Sequence, residues 1–399
     1  MIGQKPLEGL RVLDLSRVLA GPFCAMNLAD LGAEVIKVEL PGRGDDSRGY
    51  APRIPNSEDS GYYYSINRGK LSVTVDLRQP EGAEIALELV RHCDVVLENF
   101  APGTMERFGL GYERLRDVNS RVILCSISGF GQSGPMASAP AYDIVAQALG
   151  GTMSITGQPD GEPTRCGVSI GDLAAALYGV IAILSALRLR ERTGTGCHLD
   201  VAMLDCQVAL LEDALARYSA TGVVPAPLGS RHPSITPFQQ FRASDGYFVA
   251  GAGNEALWMR FCDAIGMPEL KSDPRFRLNA DRTANHALLE PILNRHLATQ
   301  PREHWLQRLG EAGVPCAPIN GVAEVTRNPH LEARRMILRA DHPAFNGLIV
   351  PGSPIKSAGS TATPVTHAPA LGEHTDQVLR DVAGYGSERI AALRARKIV

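Results

Sequence analysis

Asp172 stands at the head of an apolar stretch, residues 164–204 (TRCGVSIGDLAAALYGVIAILSALRLRERTGTGCHLDVAML), where a carboxylate has two quite different uses. From it Leu173, Leu177, Val180, Ile181, Leu184 and Leu187 recur at helical spacing, which predicts an amphipathic helix of about four turns. Arg188, Arg190 and Arg192, then Gly194 and Gly196, close it. In the first use the carboxylate is an N-cap, accepting a hydrogen bond from an orphan N–H of the first turn. In the second it is a catalytic acid group, ionised beside the positive end of the helix dipole at the mouth of an α/β cleft. Gly229-Ser230-Arg231-His232 is the other reactive-looking segment: small residues that allow movement, next to two potential cations. It reads either as a lid or as a solvated linker.

The elements that must position these groups alternate strand and helix. Leu10 to Leu15 is a buried strand, Phe23 to Leu31 a helix and Ala33 to Glu39 a second strand, together a βαβ unit. Its turn reads Ala20-Gly21-Pro22-Phe23 and lacks the G-x-G-x-x-G cradle, which argues against nicotinamide and flavin cofactors. Residues 41–60 form a polar loop. Further strands are expected from Asn67, over Asp94–Asn99, Arg121–Ser126 and Cys197–Leu204, with helices at Glu81–Arg91, after Asp172 and from Asp205 to Tyr218. This pattern predicts a doubly wound α/β domain with ligands beyond the carboxyl ends of the strands. Composition shifts after Thr221, and a hairpin turning at Asp245-Gly246 precedes several helices, so a second domain is expected at 224–325. The resulting division is 1–223, 224–325 and 326–399.

The net charge is −3 over 399 residues with both signs interspersed, so no footprint for nucleic acid or an anionic membrane is visible. The eight cysteines are scattered, with no C-x-x-C and no metal-like spacing to histidine. Free thiols in apolar surroundings point to a reducing compartment, no metal and a cytoplasmic protein. No h-region opens the chain, and no later apolar run is read as long enough to span a membrane.

Several motifs, in order and over nearly the whole length, resemble the class III coenzyme A transferase family. They are GLRVLDLSRVLAGPFCAMNLADLGAEVIKVE, the N-x-x-K-x-S-x-x-x-D-L pattern from Asn67, ENFAPGTMERFG, GDLAAALYGVIAILSAL with RTGTGCHLDVAMLD, SRHPSITPFQQF and the closing LGEHT. The resemblance implies a Rossmann-like large domain completed by the C-terminal segment, a smaller α+β domain, and an interlocked homodimer. It implies that acyl-CoA lies between the large domain of one chain and the small domain of its partner. It places the catalytic aspartate at Asp172. Coenzyme A contacts fall at Leu19 and Ala20, from Val75 to Arg78, at Asn99, Phe100 and Ala101, at Arg107, and in the loop from Ala139 to Tyr142. Leu19 stands where formyl-CoA transferases have glutamine and Leu40 where they have arginine, which argues against formate and oxalate; Arg43 or Arg48 is the candidate replacement at position 40.

On this resemblance Asp172 attacks the thioester of an acyl-CoA, succinyl-CoA being favoured, and passes coenzyme A to a carboxylic acid through an anhydride and an aspartyl thioester. Coenzyme A is then a co-substrate and no metal is needed. Gly229, Ser230, Arg231 and His232 would exclude water and hold an acceptor's second carboxylate, which favours itaconate, citramalate, mesaconate or glutarate. Arg78 and Arg107 suit nucleotide phosphates. Two alternatives stand beside this reading: an α-methylacyl-CoA racemase, whose family has His-Asp where Tyr142-Asp143 stands here, and a coenzyme A-binding protein without turnover.

Overall fold

The computed structural model describes residues 5–356 and 367–399. Six short apolar runs form one parallel sheet: β1 (Arg11–Asp14), β2 (Glu34–Glu39), β3 (Lys70–Thr74), β4 (Val95–Glu98), β5 (Ile123–Ser128) and β6 (His198–Ala202). Their spatial order is β3-β2-β1-β4-β5-β6, which reverses direction between β1 and β4. That is the doubly wound order of dinucleotide folds, and its ligand crevice opens beyond the carboxyl ends of β1 and β4. Every residue of β5 is buried, as a parallel sheet covered on both faces requires.

Neighbouring residues of each strand feed opposite cores. Leu13, Ile36, Val73, Val96 and Leu124 pack with Ile85 and Leu89 of the helix Pro80–Val90 and with Leu379, Ile390 and Leu393 near the C-terminus. Val12, Val35, Val95 and Ile123 face the other way, onto the helix Ala20–Asp30 and the helix Ile170–Thr193. The chain therefore closes its larger compact unit with its own C-terminal helices. That unit comprises Met1–Thr152, Arg165–Leu215 and Pro329–Val399, and the smaller comprises Met153–Thr164 and Ala216–Asn328. Compared with the division read from sequence, the chain changes unit at 215/216 instead of 223/224 and at 328/329 instead of 325/326. Residues 153–164, expected in the large domain, belong to the smaller unit.

The smaller unit is α+β. Strands β7 (Phe238–Ala243) and β8 (Gly246–Gly251) form the expected hairpin, and a third, unexpected strand, β9 (Cys316–Pro318), pairs antiparallel with β8. Phe241, Phe248, Trp258, Phe261 and Trp305 fill its core.

Three local expectations are corrected. The helix that carries Asp172 is 24 residues long, and its buried stripe combines small residues, Gly171, Ala174, Ala175, Ala176, Gly179 and Ala186, with Ile183 and the expected Val180 and Leu187. Leu177, Ile181 and Leu184, which the apolar spacing assigned to the core face, are exposed. A Cβ at Gly179 would lie 3.1 Å from Ile127 Cδ1 and 3.2 Å from Cys24 Sγ, so a small residue sets this close approach to sheet and neighbouring helix. The same helix is long and apolar enough to cross a membrane, contrary to the reading that no run is; 44% of its most apolar window is buried inside the protein. Residues Gly61–Ile66, between the expected loop and the strand from Asn67, are helical, and the single helix expected over 205–218 is two, Met203–Ala209 and Ala214–Thr221.

Charge is buried under the carboxyl end of the sheet. Lys70 Nζ donates to Asp14 Oδ2 (2.9 Å), the Pro22 carbonyl (2.9 Å) and Asn67 Oδ1 (2.8 Å), with both ionic side chains fully buried. Burial brings the Lys70 ammonium down to about 8, and Asp14 opposes the shift. A buried pair of this kind costs most when one partner is removed. Lys70→Met is expected to lose roughly 3–5 kcal/mol in urea unfolding, and adding Asp14→Asn to recover part of the loss; a single-variant loss under about 1 kcal/mol would mean that Asp14 is not left an uncompensated charge.

Candidate active site

The helix that carries Asp172 begins at Ile170, so Asp172 is its third residue and not its cap. Ser169 occupies the capping position and its side chain caps nothing. The orphan N–H of Gly171 is satisfied instead by a residue 28 positions earlier: Asp143 Oδ1 accepts it at 2.8 Å. Asp143 is the first residue of the helix Asp143–Leu149 and is 9% exposed. Its second oxygen accepts from Gln147 Nε2 (2.7 Å), with Arg165 at 3.6 Å. A Cβ on Gly171 would sit 3.0 Å from Asp143 Oδ1, so the two segments can meet this closely because residue 171 has none. Asp143 thus takes the capping task and leaves the Asp172 carboxylate without a hydrogen bond or ion pair among the described residues.

Burial, and then the Asp143 anion, push the Asp172 carboxyl up to about 7. Desolvation and a like charge thus oppose the ionisation expected beside the positive end of the helix dipole. The Tyr62 hydroxyl lies in the same field. Its burial, with Asp172 as the charge that weighs most on it, pushes it up to about 12. Tyr62 stays a phenol, able to donate a hydrogen bond to a developing negative charge. Its ring meets Tyr50 edge to face, with centroids 5.5 Å apart. Neither tyrosine was singled out from sequence; the run Tyr62-Tyr63-Tyr64 after a Pro/Gly-rich loop was the available signal.

The turn after β1 is fixed from three sides. Val18 has φ 67°, a left-handed conformation that is costly for a β-branched residue. Its N–H donates to both oxygens of Asp45 (3.1 and 3.3 Å), and Asp45 is locked by Lys37 (2.8 Å), with both side chains fully buried. Asn99 Oδ1 accepts from the Arg17 N–H (2.7 Å), and its Nδ2 donates to the Arg17 carbonyl (2.8 Å). Asn99, expected to contact coenzyme A, thus spends its amide on the Arg17 peptide. The Leu19 and Ala20 side chains are buried, so these two residues offer only main chain, whereas the Arg17 side chain of the same turn is exposed.

Other expected residues converge. A cleft of about 200 Å³ beyond the carboxyl ends of β1, β2 and β3 is lined by Leu40, Arg43, Val75, Arg78, Phe100 and Phe108. It shares Arg78 and Phe108 with a broader groove of about 840 Å³ that adds Arg107, Tyr112 and His198. Arg107 donates to the Thr104 hydroxyl (2.6 Å) and pairs with no carboxylate among the described residues. Arg78 forks onto Asp76 (2.8 and 2.9 Å), and this holds the Asp76 carboxyl down at about 2. Arg48 is not free to replace an arginine at position 40, because Glu39 takes it at 2.7 and 2.8 Å. Arg43 stands on the cleft wall and pairs with Asp46 (2.8 Å) through an exposed side chain. Ala101 and Tyr142 are exposed, Tyr142 at 80%.

In the smaller unit the Gly229–His232 segment is tied down. Gly229 N–H donates to the Gly157 carbonyl (2.8 Å), His232 N–H to the Phe238 carbonyl (3.0 Å), and Ser230 Oγ accepts from the Gln240 N–H (3.0 Å). His232 Nδ1 accepts from the Ser234 N–H (3.0 Å). No disulfide links the eight cysteines. Among the described residues no cluster of three or more His, Cys, Asp or Glu is arranged to hold a metal ion.

A family model described as CoA-transferase family III matches residues 7–375. A protein of Acetobacter aceti named acetyl-CoA:oxalate CoA-transferase is 47% identical over 355 residues, covering 89% of this chain and 90% of its own. The succinyl-CoA:glutarate CoA-transferase of Mus musculus is 40% identical over 395 residues, 99% of this chain and 90% of its own. The crystal structure of a CAIB/BAIF family protein from Brucella suis superposes with a TM-score of 0.84 at 40% identity, over 95% of this chain and all of that one.

The raised pKa of Asp172 has a consequence for stability. The folded chain holds this proton more tightly than the unfolded chain, whose carboxyl titrates near its ordinary 3.8. Stability contributed here is present below about pH 4 and lost as pH rises towards about 7. Asp172→Asn is expected to melt at a higher temperature than wild type at pH 8, with the gap narrowing as pH falls to about 5; a variant that melts lower at pH 8 would show that the carboxylate is not a desolvated charge.

Proposed function

The chain belongs to CoA-transferase family III, and from that premise we propose that it moves coenzyme A from succinyl-CoA to a short dicarboxylic acid by covalent catalysis at Asp172. The observation that carries this reading is the Asp172 carboxylate itself: released from capping by Asp143, desolvated, and held on the first turn of a packed helix. A carboxylate suits the task because it forms an anhydride with an acyl group and a thioester with coenzyme A.

The ionised Asp172 oxygen attacks the thioester carbonyl, the C–S bond breaks, and coenzyme A leaves as thiolate. The thiolate attacks the aspartyl carbonyl of the anhydride, the aspartyl C–O bond breaks, and the donor acid departs. The acceptor carboxylate then attacks the aspartyl thioester and expels the thiolate, which attacks the acceptor's acyl carbonyl. The new acyl-CoA leaves and the Asp172 carboxylate is restored; no water and no net proton are consumed. Each addition develops an oxyanion, for which the Tyr62 phenol and the main-chain N–H groups of the β1 turn are the proposed donors. Arg107 is the unpaired guanidinium proposed for the nucleotide phosphates, and Arg43 and Arg78 join it by exchanging Asp46 and Asp76.

The relatives' names support succinyl-CoA and glutarate. They also put oxalate among the acids to be tried, although Leu19 replaces the glutamine of formyl-CoA transferases. The Gly229–His232 segment is proposed to shield the acyl intermediates and meet the acceptor. Racemisation is disfavoured by Asp143, whose carboxylate is occupied by Gly171 and Gln147 and is not available as a base. The chain is proposed to act as a homodimer in the cytoplasm. Supporting the first is the exposed apolar face of the Asp172 helix, with Leu177, Ile181 and Leu189 about half exposed; supporting the second are the eight free thiols.

A matrix of acyl-CoA donors against carboxylic acids, read by mass spectrometry, is expected to show succinyl-CoA with glutarate or a similar diacid as the best pair. Asp172→Ala should lose at least ~10³ in kcat while still binding coenzyme A; an active variant would rule the mechanism out. Because the nucleophile must be ionised, kcat/KM should fall as pH drops below about 7. A flat profile down to pH 5 would contradict this assignment. In sedimentation the wild type should run as a dimer that Leu177→Asp with Ile181→Asp weakens, whereas a monomeric wild type would overturn the assembly.

A further inference from the structure

The smaller unit contains a polar cavity of about 580 Å³ behind the Gly229–Arg231 turn. Its walls are the turn around Ser230 and Arg231, the strand residues Gln239 and Arg242, and the helix residues His286 and Glu290. Two guanidinium groups line it against one carboxylate, and that carboxylate is already engaged. Glu290 Oε1 accepts from Gln239 Nε2 (2.8 Å), and Gln239 Oε1 faces His286 Nε2 at 2.6 Å. Gln239 donates to Glu290, so its oxygen must be the atom turned to His286, which assigns the His286 proton to Nε2. Burial, and then the Arg231 cation, lower the pKa of His286, so the ring is neutral and does not balance Glu290.

Arg231 and Arg242 form no ion pair among the described residues, and Arg231 Nε is buried without a hydrogen-bond partner. Leaving a buried guanidinium N–H unpaired is costly, and a bound anion would satisfy it. The Arg231 backbone is nonetheless held: its N–H donates to the Leu228 carbonyl (3.2 Å), and Gly229, at φ 64°, forms the bend before it. A Cβ there would come within 3.0 Å of Gln158 Oε1. Planar, preorganised forks of this kind match carboxylates.

We propose that this cavity is a binding site for a short-chain dicarboxylate, with Arg231 gripping one carboxylate and Arg242 neutralising the second. His232, expected beside Arg231 as an acceptor ligand, is not one of the lining residues; its ring packs on Phe238 and its Nδ1 is taken by Ser234. The choice of a diacid rests on the proposed acceptor class, but the site does not depend on Asp172 chemistry. The bound diacid has two sources, the acceptor of the reaction or a second molecule acting as an effector.

Calorimetric titration of the full-length protein with glutarate and with butyrate, without acyl-CoA, tests the site apart from turnover. Wild type is expected to bind glutarate well above butyrate. Arg231→Gln should weaken glutarate at least tenfold and Arg231→Lys less; the exposed Arg242→Gln, which leaves the buried network intact, should weaken it severalfold. Glutarate binding unchanged in both glutamine variants, or equal losses for glutarate and butyrate, would overturn the proposal. In steady-state assays, a KM for glutarate that rises in step with the lost affinity, at constant KM for succinyl-CoA, identifies the occupant as acceptor. An unchanged KM with loss of glutarate-dependent activation or inhibition identifies an effector. If the protein transfers nothing to any diacid while Arg231-dependent glutarate binding persists, the acceptor assignment fails and the site stands.

Discussion

The hydrogen bond from the Gly171 N–H to the Asp143 carboxylate decides what Asp172 is able to be. A helix N-terminus in a largely buried setting needs an acceptor, and the nearest acid in the chain would ordinarily supply it. Here the acceptor arrives from the helix Asp143–Leu149, fixed by Gln147 and approached closely because residue 171 lacks a side chain. Asp172 is left as a second carboxylate beside the first, without a local partner and partly removed from water. Both conditions raise its pKa, and both make it a stronger base once ionised. The arrangement opposes stability and, on the proposed mechanism, serves reactivity, a trade that functional sites commonly make.

The cleft beyond the carboxyl ends of β1, β2 and β3 depends on a second use of buried charge. Lys37 and Asp45 lie under the β1 turn, and Asp45 holds Val18 in a conformation that a valine avoids, while Asn99 grips the peptide before it. Such strain persists only where the surroundings over-determine it. Lys70 and Asp14 anchor the floor beneath. The residues that present themselves to a ligand, namely the turn's main chain, Arg43, Arg78 and Arg107, thus stand on a polar foundation that is already satisfied internally.

Most of the sheet was legible in the sequence, because parallel strands buried on both faces read as short, mainly apolar runs such as residues 10–15 and 121–126. The helix after Asp172 was legible in existence but not in orientation. Leu177, Ile181 and Leu184 mark a face that this chain leaves uncovered, and the packing face around Val180, Ile183 and Leu187 is mostly alanine and glycine, which hydrophobic periodicity undervalues. Asp143 could not be read as a cap, since capping signals are local and this one acts across 28 residues. Tyr62 was hidden for a related reason: it sits on a six-residue helix inside what reads as loop, and its relation to Asp172 is purely tertiary. Family resemblance supplied Asn99 as a ligand, and only coordinates reveal that its amide is committed to Arg17. Arg231 and Arg242 show the converse, since a sequence lists arginines without telling which of them lack carboxylates.

The central claim is that residue 172 itself becomes acylated and then carries coenzyme A. Its most direct test is to mix the protein with succinyl-CoA, quench within a turnover, and map the adduct by peptide mass spectrometry, with hydroxylamine converting any activated ester to a hydroxamate. The account predicts a coenzyme A thioester, and after hydroxylamine a hydroxamate, confined to Asp172. An adduct on another residue, or transfer that proceeds with residue 172 unmodified throughout, would contradict it.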